Sequence, residues 1–219
     1  MSLLDRFDLV VFDFDGTLCD SVQVKTEAFQ LLYLDERGLE FADRVRTYHL
    51  ANAGVPRYDK IRYVETEMIG SEPSNERVEQ MAARFGKIVE EQVIAAPLFD
   101  GVVEFLQQAP MPLVVASATP TEELRRIIIA KGINEYFAGA EGSPPNKGEI
   151  VTGYVDRFNV SPSRVLMVGD QPSDLSGAKA ADTDFIGIIP PGHRQDWARP
   201  FPVLPDFAAF VDLAATDGS

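Results

Sequence analysis

Four short apolar runs constrain this chain more than anything else in it: DLVVFDF at 8–14, MPLVVAS at 111–117, RVLMVGD at 164–170 and TDFIGII at 183–189. Each is rich in Val, Ile, Leu or Phe, and none alternates cleanly with polar residues. A strand with one wet face alternates; a strand covered on both faces, as in a parallel sheet, reads as a continuous apolar run. Stretches of helical character at 120–131, 147–158 and 172–181 separate the last three runs. This alternation predicts an α/β fold with a doubly wound, Rossmann-like parallel-sheet core.

Three helix starts carry readable caps. Thr119-Pro120-Thr121-Glu122 reads as a capping threonine, a proline at the first helical position and a following glutamate. Asn146-Lys147-Gly148-Glu149 has the same capping arrangement, and Gln171-Pro172-Ser173-Asp174 again puts proline first. Helix N-termini offer free backbone N–H groups to anions, so such starts suit a phosphate site.

The stretch 20–94 breaks the alternation. It holds AFQLLYLDERG, FADRVRTYHLANAG, RYDKIRYVETEMIG and SNERVEQMAARFGKIVEEQV, all amphipathic and helical in pattern, with breaks at Gly38, Gly54-Val55-Pro56 and Gly70 to Pro73. We therefore expect a small all-helical domain over 20–94, inserted into a core formed by 1–19 and 95–219. The hinges are expected near Cys19-Asp20-Ser21 and Ala95-Ala96-Pro97, and the last residues, from Ala214, are expected to fray.

Composition excludes several classes. With 34 acidic against 20 basic residues the formal charge is −14, a surface that repels nucleic-acid backbones and anionic membranes. No apolar run approaches the roughly 20 residues that cross a bilayer. The N-terminal MSLLDRFDLVVFDFDG has no basic n-region and carries carboxylates inside its apolar run, so it reads as a buried strand rather than a secretory signal. Cys19 is the single cysteine; an intrachain disulfide is impossible and a cytoplasmic location is expected.

The chemistry lies where the apolar runs stop. VVFDFDGTL at 10–18 ends in Asp13 and Asp15, one residue apart, followed by a turn at Gly16-Thr17. VVASATP at 113–119 ends in Ser117, and MVGDQPSD at 167–174 ends in Asp170 with Asp174 four residues on. Lys147 stands at a helix start, against the helix dipole, where a bound anion would account for it. Singly, each has a plain structural alternative: a polar turn, a hydroxyl meeting backbone donors, a solvated lysine, a first-turn acid. Open α/β sheets, however, gather ligands at the carboxyl ends of their strands.

The order Asp-x-Asp, then Ser, then Lys, then Asp…Asp resembles the haloacid dehalogenase-like hydrolase superfamily. The resemblance covers the whole chain, because the helical block at 20–94 lies where that superfamily carries a cap, and it is strongest to the phosphoglycolate phosphatase-like branch. It implies Asp13 as the nucleophile forming an aspartyl phosphate and Asp15 as general acid and base. It also implies Mg²⁺ held by the Asp13 carboxylate, the Asp15 backbone carbonyl and Asp170. Ser117 and the Ala118 backbone would bind phosphoryl oxygens, and Lys147 would offset charge and keep Asp13 ionised. Asp174 would support the metal's water shell or orient Lys147. Enzymes of this group that attack carbon lack an aspartate at the second position, so Asp15 favours phosphoryl transfer.

The resemblance therefore points to a Mg²⁺-dependent phosphatase for a small phosphorylated metabolite. The alternatives are a sugar phosphomutase on the same scaffold and a non-catalytic binding protein that keeps the fold. For specificity the sequence offers YHLANAGVPRYDKIRYV at 48–64, with His49, Arg57, Lys60 and Arg62 against an acidic background. Arg57 and Lys60 are expected to contact an anionic substrate group, with a solvated basic helix face as the alternative. Cys19 reads as a buried structural thiol; His193 and Trp197 lie in a loop with no assigned role.

Overall fold

A computed structural model describes residues 3–52 and 54–215. The chain divides into two compact units, one built from residues up to Asp20 and from Pro97 onward, the other from Ser21–Ala96.

The first unit is a six-stranded sheet in the order β3-β2-β1-β4-β5-β6, with every neighbouring pair parallel. Its strands are β1 (Leu9–Phe12), β2 (Leu113–Pro120), β3 (Gly139–Ser143), β4 (Val165–Gly169), β5 (Asp184–Ile188) and β6 (Val203–Leu204). In this order the chain reverses its direction of winding between β1 and β4, which is where ligands enter such sheets. The register aligns Phe12 with Val115 on one side and with Val168 on the other. Asp13 and Asp170 thus leave adjacent strands at one sheet edge.

The unbroken apolar character of β1 follows from what covers it. Successive side chains point to opposite faces. Phe12 packs against Phe105 of α4 (Val102–Gln108) and Phe210 of α8 (Phe207–Ala215), with ring centroids 5.8 and 5.9 Å away. Leu9 and Val11 join a buried cluster with Ile150, Val151 and Tyr154, and with Leu175 and Ala178. Those residues belong to α6 (Lys147–Phe158) and α7 (Pro172–Ala180). α5 (Thr121–Ala130) follows β2.

Two strands escaped the sequence reading. β3 has the sequence GAEGS, with no large apolar residue, and β6 is two half-buried residues long. Both are edge strands, where one neighbour suffices and the apolar signal fades. The C-terminal expectation needs correction as well: α8 continues to Ala215 and Ala214 is buried, while residues 216–219 lie outside the described residues.

The second unit is all-helical. α1 (Val22–Ala51) is broken at Gly38, whose φ of 77° is open to glycine but strained for other residues. α2 (Arg57–Tyr63) runs into a π-helical turn, Val64–Ile69, closed by Gly70 at φ 78°. α3 (Asn75–Ala95) starts at Ser74, whose hydroxyl accepts the Arg77 N–H at 3.1 Å. Its core holds Phe29, Tyr33, Val45, Ile61, Met81, Phe85 and Val89.

The aromatic cluster that seats α8 on the sheet gives a direct test. Phe210→Ala should cost about 3–5 kcal/mol of stability in urea unfolding. A loss below about 1 kcal/mol would contradict the packing described.

Candidate functional site

Asp13 follows the last residue of β1, and its N–H donates to the Val168 carbonyl at 2.9 Å, which ties it to β4. Lys147 is the first residue of α6, where a capping box fixes the chain. The Asn146 side chain accepts the Glu149 N–H at 3.0 Å, and the Glu149 carboxylate accepts the Asn146 N–H at 2.8 Å. From there the Lys147 ammonium donates to Asp13 at 2.9 Å and to Asp174. The other Asp174 oxygen accepts the Gln171 N–H at 2.8 Å. Two glycines let the helices approach: a Cβ on Gly148 would lie 2.8 Å from Ala180, and one on Gly177 would lie 3.0 Å from the Lys147 Cβ.

Asp170 follows β4. Thr17 donates to one of its oxygens at 3.2 Å and the Gln171 side-chain amide to the other at 2.5 Å. Gly16, at φ 87°, has no side chain to collide with this carboxylate; a Cβ there would run into it. Asp13, Asp170 and Asp174 each bring a carboxylate oxygen within 4.8 Å of the others.

The electrostatics of this group are unbalanced. Three carboxylates surround one ammonium. Burial pushes Asp13 well above the ordinary carboxylate range; Lys147 opposes this, but the charges of Asp174, Asp170 and Asp15 add to it. Burial and the Asp174 charge push Asp170 up to about 7, against the hydrogen bonds from Gln171 and Thr17 and the Lys147 charge. Lys147 is raised despite its burial, because Asp13 and Asp174 stabilise its charge. An excess of buried anionic oxygen fits a hard divalent cation, whose charge would restore both carboxylates to their ionised form.

The end of β2 completes this edge. Ser117 is buried, and its hydroxyl oxygen accepts the Thr119 N–H at 3.1 Å. Ala118 lies between them. The β2–β3 register shifts between Ala116 and Pro120, so 117–119 leave the regular ladder. The cap read at Thr119 is corrected here: α5 begins at Thr121 with Pro120 in the N-cap position and no side-chain cap bond, and the Thr119 hydroxyl donates to an Asp15 carboxylate oxygen at 3.1 Å. Thr119 and Gln171 are therefore contacts that the sequence reading missed. Both stand beside helix starts, where a local role is the expectation, and only the fold reveals what they reach.

Arg57 and Lys60 belong to the helical unit and are buried at 6% and 4% exposure, so neither is part of a solvated helix face. The Arg57 guanidinium lies 4.7 Å from the Phe85 ring centroid, and the Lys60 ammonium 5.5 Å from that of Phe29. Lys60 donates to His49 Nδ1 at 3.3 Å. Cys19 is buried and forms no disulfide. Trp197 is partly buried and packs against the core on Phe185, centroids 6.2 Å apart. Among the described residues, no helix is long and apolar enough to cross a membrane.

The profile of the haloacid dehalogenase-like hydrolases matches residues 7–182. The tyrosine-protein kinase PtkA of Mycobacterium tuberculosis is 29% identical over 200 residues, covering 82% of this chain. The match spans 61% of that kinase's own length. Phosphoglycolate phosphatase of Escherichia coli is 25% identical over 202 residues, covering 82% of this chain and 80% of the relative. A crystal structure of a predicted phosphoglycolate phosphatase from Haemophilus somnus superposes with a TM-score of 0.72 at 19% identity. That superposition covers 95% of this chain and 98% of the other.

The raised Asp170 carboxyl sets a pH dependence. With divalent cations chelated, it holds a proton up to about pH 7 in the fold, whereas the unfolded chain releases it near pH 4. Its contribution to stability is thus complete below about pH 4 and is lost as the pH rises toward 7. Asp170→Asn should lack this part of the decline and be more stable than the parent in chelator at pH 7.5, by on the order of 1–3 kcal/mol in urea. Identical pH profiles for the two proteins would contradict the assignment.

Proposed function

This chain belongs to the haloacid dehalogenase-like hydrolase family, and from that premise we propose that it is a Mg²⁺-dependent phosphatase acting on a small phosphorylated metabolite. The observation that carries the reading is the bridge from Lys147 to Asp13 and Asp174 beside Asp170, all within one sheet edge. The phosphatase named among the relatives supports the same reaction class.

In this reading an Asp13 oxygen attacks phosphorus in line with the ester bond. The P–O bond breaks, Asp15 delivers its proton to the leaving oxygen, and an aspartyl phosphate forms on Asp13. Asp15 then takes a proton from water, the water oxygen attacks phosphorus, and inorganic phosphate leaves with Asp13 restored. Mg²⁺, held by Asp13, Asp170 and the Asp15 backbone carbonyl, would neutralise the phosphate so that a carboxylate can approach it. Ser117 and the Ala118 N–H orient the phosphoryl oxygens, and Lys147 offsets the charge that builds on them. Asp174, bonded to Lys147 and to the Gln171 N–H, sets the direction of the ammonium and lies close to the metal ligands.

Transfer of the phosphoryl group back to a sugar phosphate would use the same residues, and release of inorganic phosphate distinguishes hydrolysis from that reaction. Replacing Asp13 with Asn should lower Mg²⁺-dependent hydrolysis of 4-nitrophenyl phosphate by at least about a thousandfold. Chelation should abolish the parent's activity and added Mg²⁺ should restore it. An active Asp13→Asn protein would refute the mechanism.

The helical unit is proposed as the cap that chooses the substrate, with Arg57 and Lys60 as its anion contacts. Two cations on neighbouring aromatic faces, with the Phe29 and Phe85 ring centroids 5.3 Å apart, suit a carboxylate or a second phosphate. Arg57→Ala should raise KM for the true substrate by about tenfold, while turnover of 4-nitrophenyl phosphate stays largely intact. Unchanged KM across a panel of phosphorylated metabolites, phosphoglycolate among them, would remove Arg57 from this role.

A further inference from the structure

We infer that Thr119 is the positioning residue for Asp15, aiming the proton that is passed to the leaving oxygen. The inference rests on the reading of Asp15 as general acid, and it adds a residue which that reading does not contain.

Three observations carry it. First, the Thr119 hydroxyl donates to an Asp15 carboxylate oxygen at 3.1 Å, joining residues 104 positions apart in the sequence. Thr119 is 97% buried, its relative exposure being 3%. A carboxyl group turns freely about its last torsion unless something holds it, and a hydroxyl donor on one oxygen fixes that plane.

Second, Thr119 is itself held. Its N–H donates to Ser117 at 3.1 Å, and its β-branched side chain has few rotamers. Its carbonyl lies where a Cβ on residue 142 would be, an approach that only Gly142 permits. The next residue but one, Thr121, closes the platform: its hydroxyl donates to the Gly142 carbonyl at 3.1 Å and accepts the Gly142 N–H at 2.9 Å. The donor therefore stands on a segment at the end of β2 that is clamped against β3.

Third, the backbone irregularity at the end of β2 aims the hydroxyl. The shifted register between Ala116 and Pro120 carries Thr119 out of the ladder, and irregularities of this kind commonly re-aim a side chain beside a site.

The reaction consequence is specific. The transferred proton starts on the Asp15 carboxyl and ends on the ester oxygen as the P–O bond breaks and the Asp13–phosphorus bond forms. A misaimed acid slows substrates whose leaving oxygen needs that proton and spares those whose leaving group departs unaided. Thr119→Val keeps the shape and removes the donor.

The test measures kcat/KM for aryl phosphates from phenyl to 4-nitrophenyl phosphate. This parameter covers steps up to release of the phenol and excludes hydrolysis of the aspartyl phosphate. Thr119→Val should lose about tenfold or more on phenyl phosphate and less than about threefold on 4-nitrophenyl phosphate, while Thr119→Ser should recover the parent's pattern. Equal losses on both substrates, or a Thr119→Ser protein as selective as Thr119→Val, would overturn the inference. Asp15→Asn separates the two levels. If it discriminates by leaving group and Thr119→Val does not, the role of Thr119 falls alone. If Asp15→Asn shows no discrimination, the acid role of Asp15 falls, and the inference with it.

Discussion

The contact from Lys147 to Asp13 and Asp174 organises the carboxyl edge of the sheet in this protein. Three carboxylates lie within 4.8 Å of one another in a buried place, an arrangement that like-charge repulsion and desolvation both oppose. The lysine relieves only part of this, so Asp13 and Asp170 both sit above the ordinary carboxylate range. The remaining imbalance is the physical argument for a divalent cation. The fold supports the contact at several points: the capping box at Asn146, the paired glycines that let α6 and α7 approach, and the β1–β4 pairing that brings Asp13 beside Asp170.

Much of this was legible in the residues because the core is a set of doubly covered strands. β1, β4 and β5 lie inside their apolar runs and β2 starts inside its own and continues to Pro120, and the helix starts at Lys147 and Pro172 fall where capping residues announced them. The glycine breaks in the helical unit were equally readable, since Gly38 and Gly70 take positive φ. Edge strands were not, because GAEGS carries no apolar pattern. The side chains missed at the site share one physical cause. Thr119 and Gln171 are short-range cap formers by type, and no sequence pattern says that one would turn to Asp15 and the other to Asp170.

The helical unit shows the same gap between composition and contact. A cluster of basic residues on a short helix reads either as a set of anion contacts or as a wet face. The second reading fails, because Arg57 and Lys60 are buried over Phe85 and Phe29. The aromatic faces explain how cations are kept in an apolar setting, since ring quadrupoles attract them.

The account stands or falls on Asp13 as the atom that receives phosphorus. The direct measurement is rapid mixing with an aryl phosphate and Mg²⁺, an acid quench, borohydride reduction of any acyl phosphate, and mass mapping of the peptide spanning 7–25. The account predicts reduction at position 13 alone, in step with the burst of released phenol. A burst with no modified peptide, or reduction at Asp15 or Asp170 instead, would contradict it.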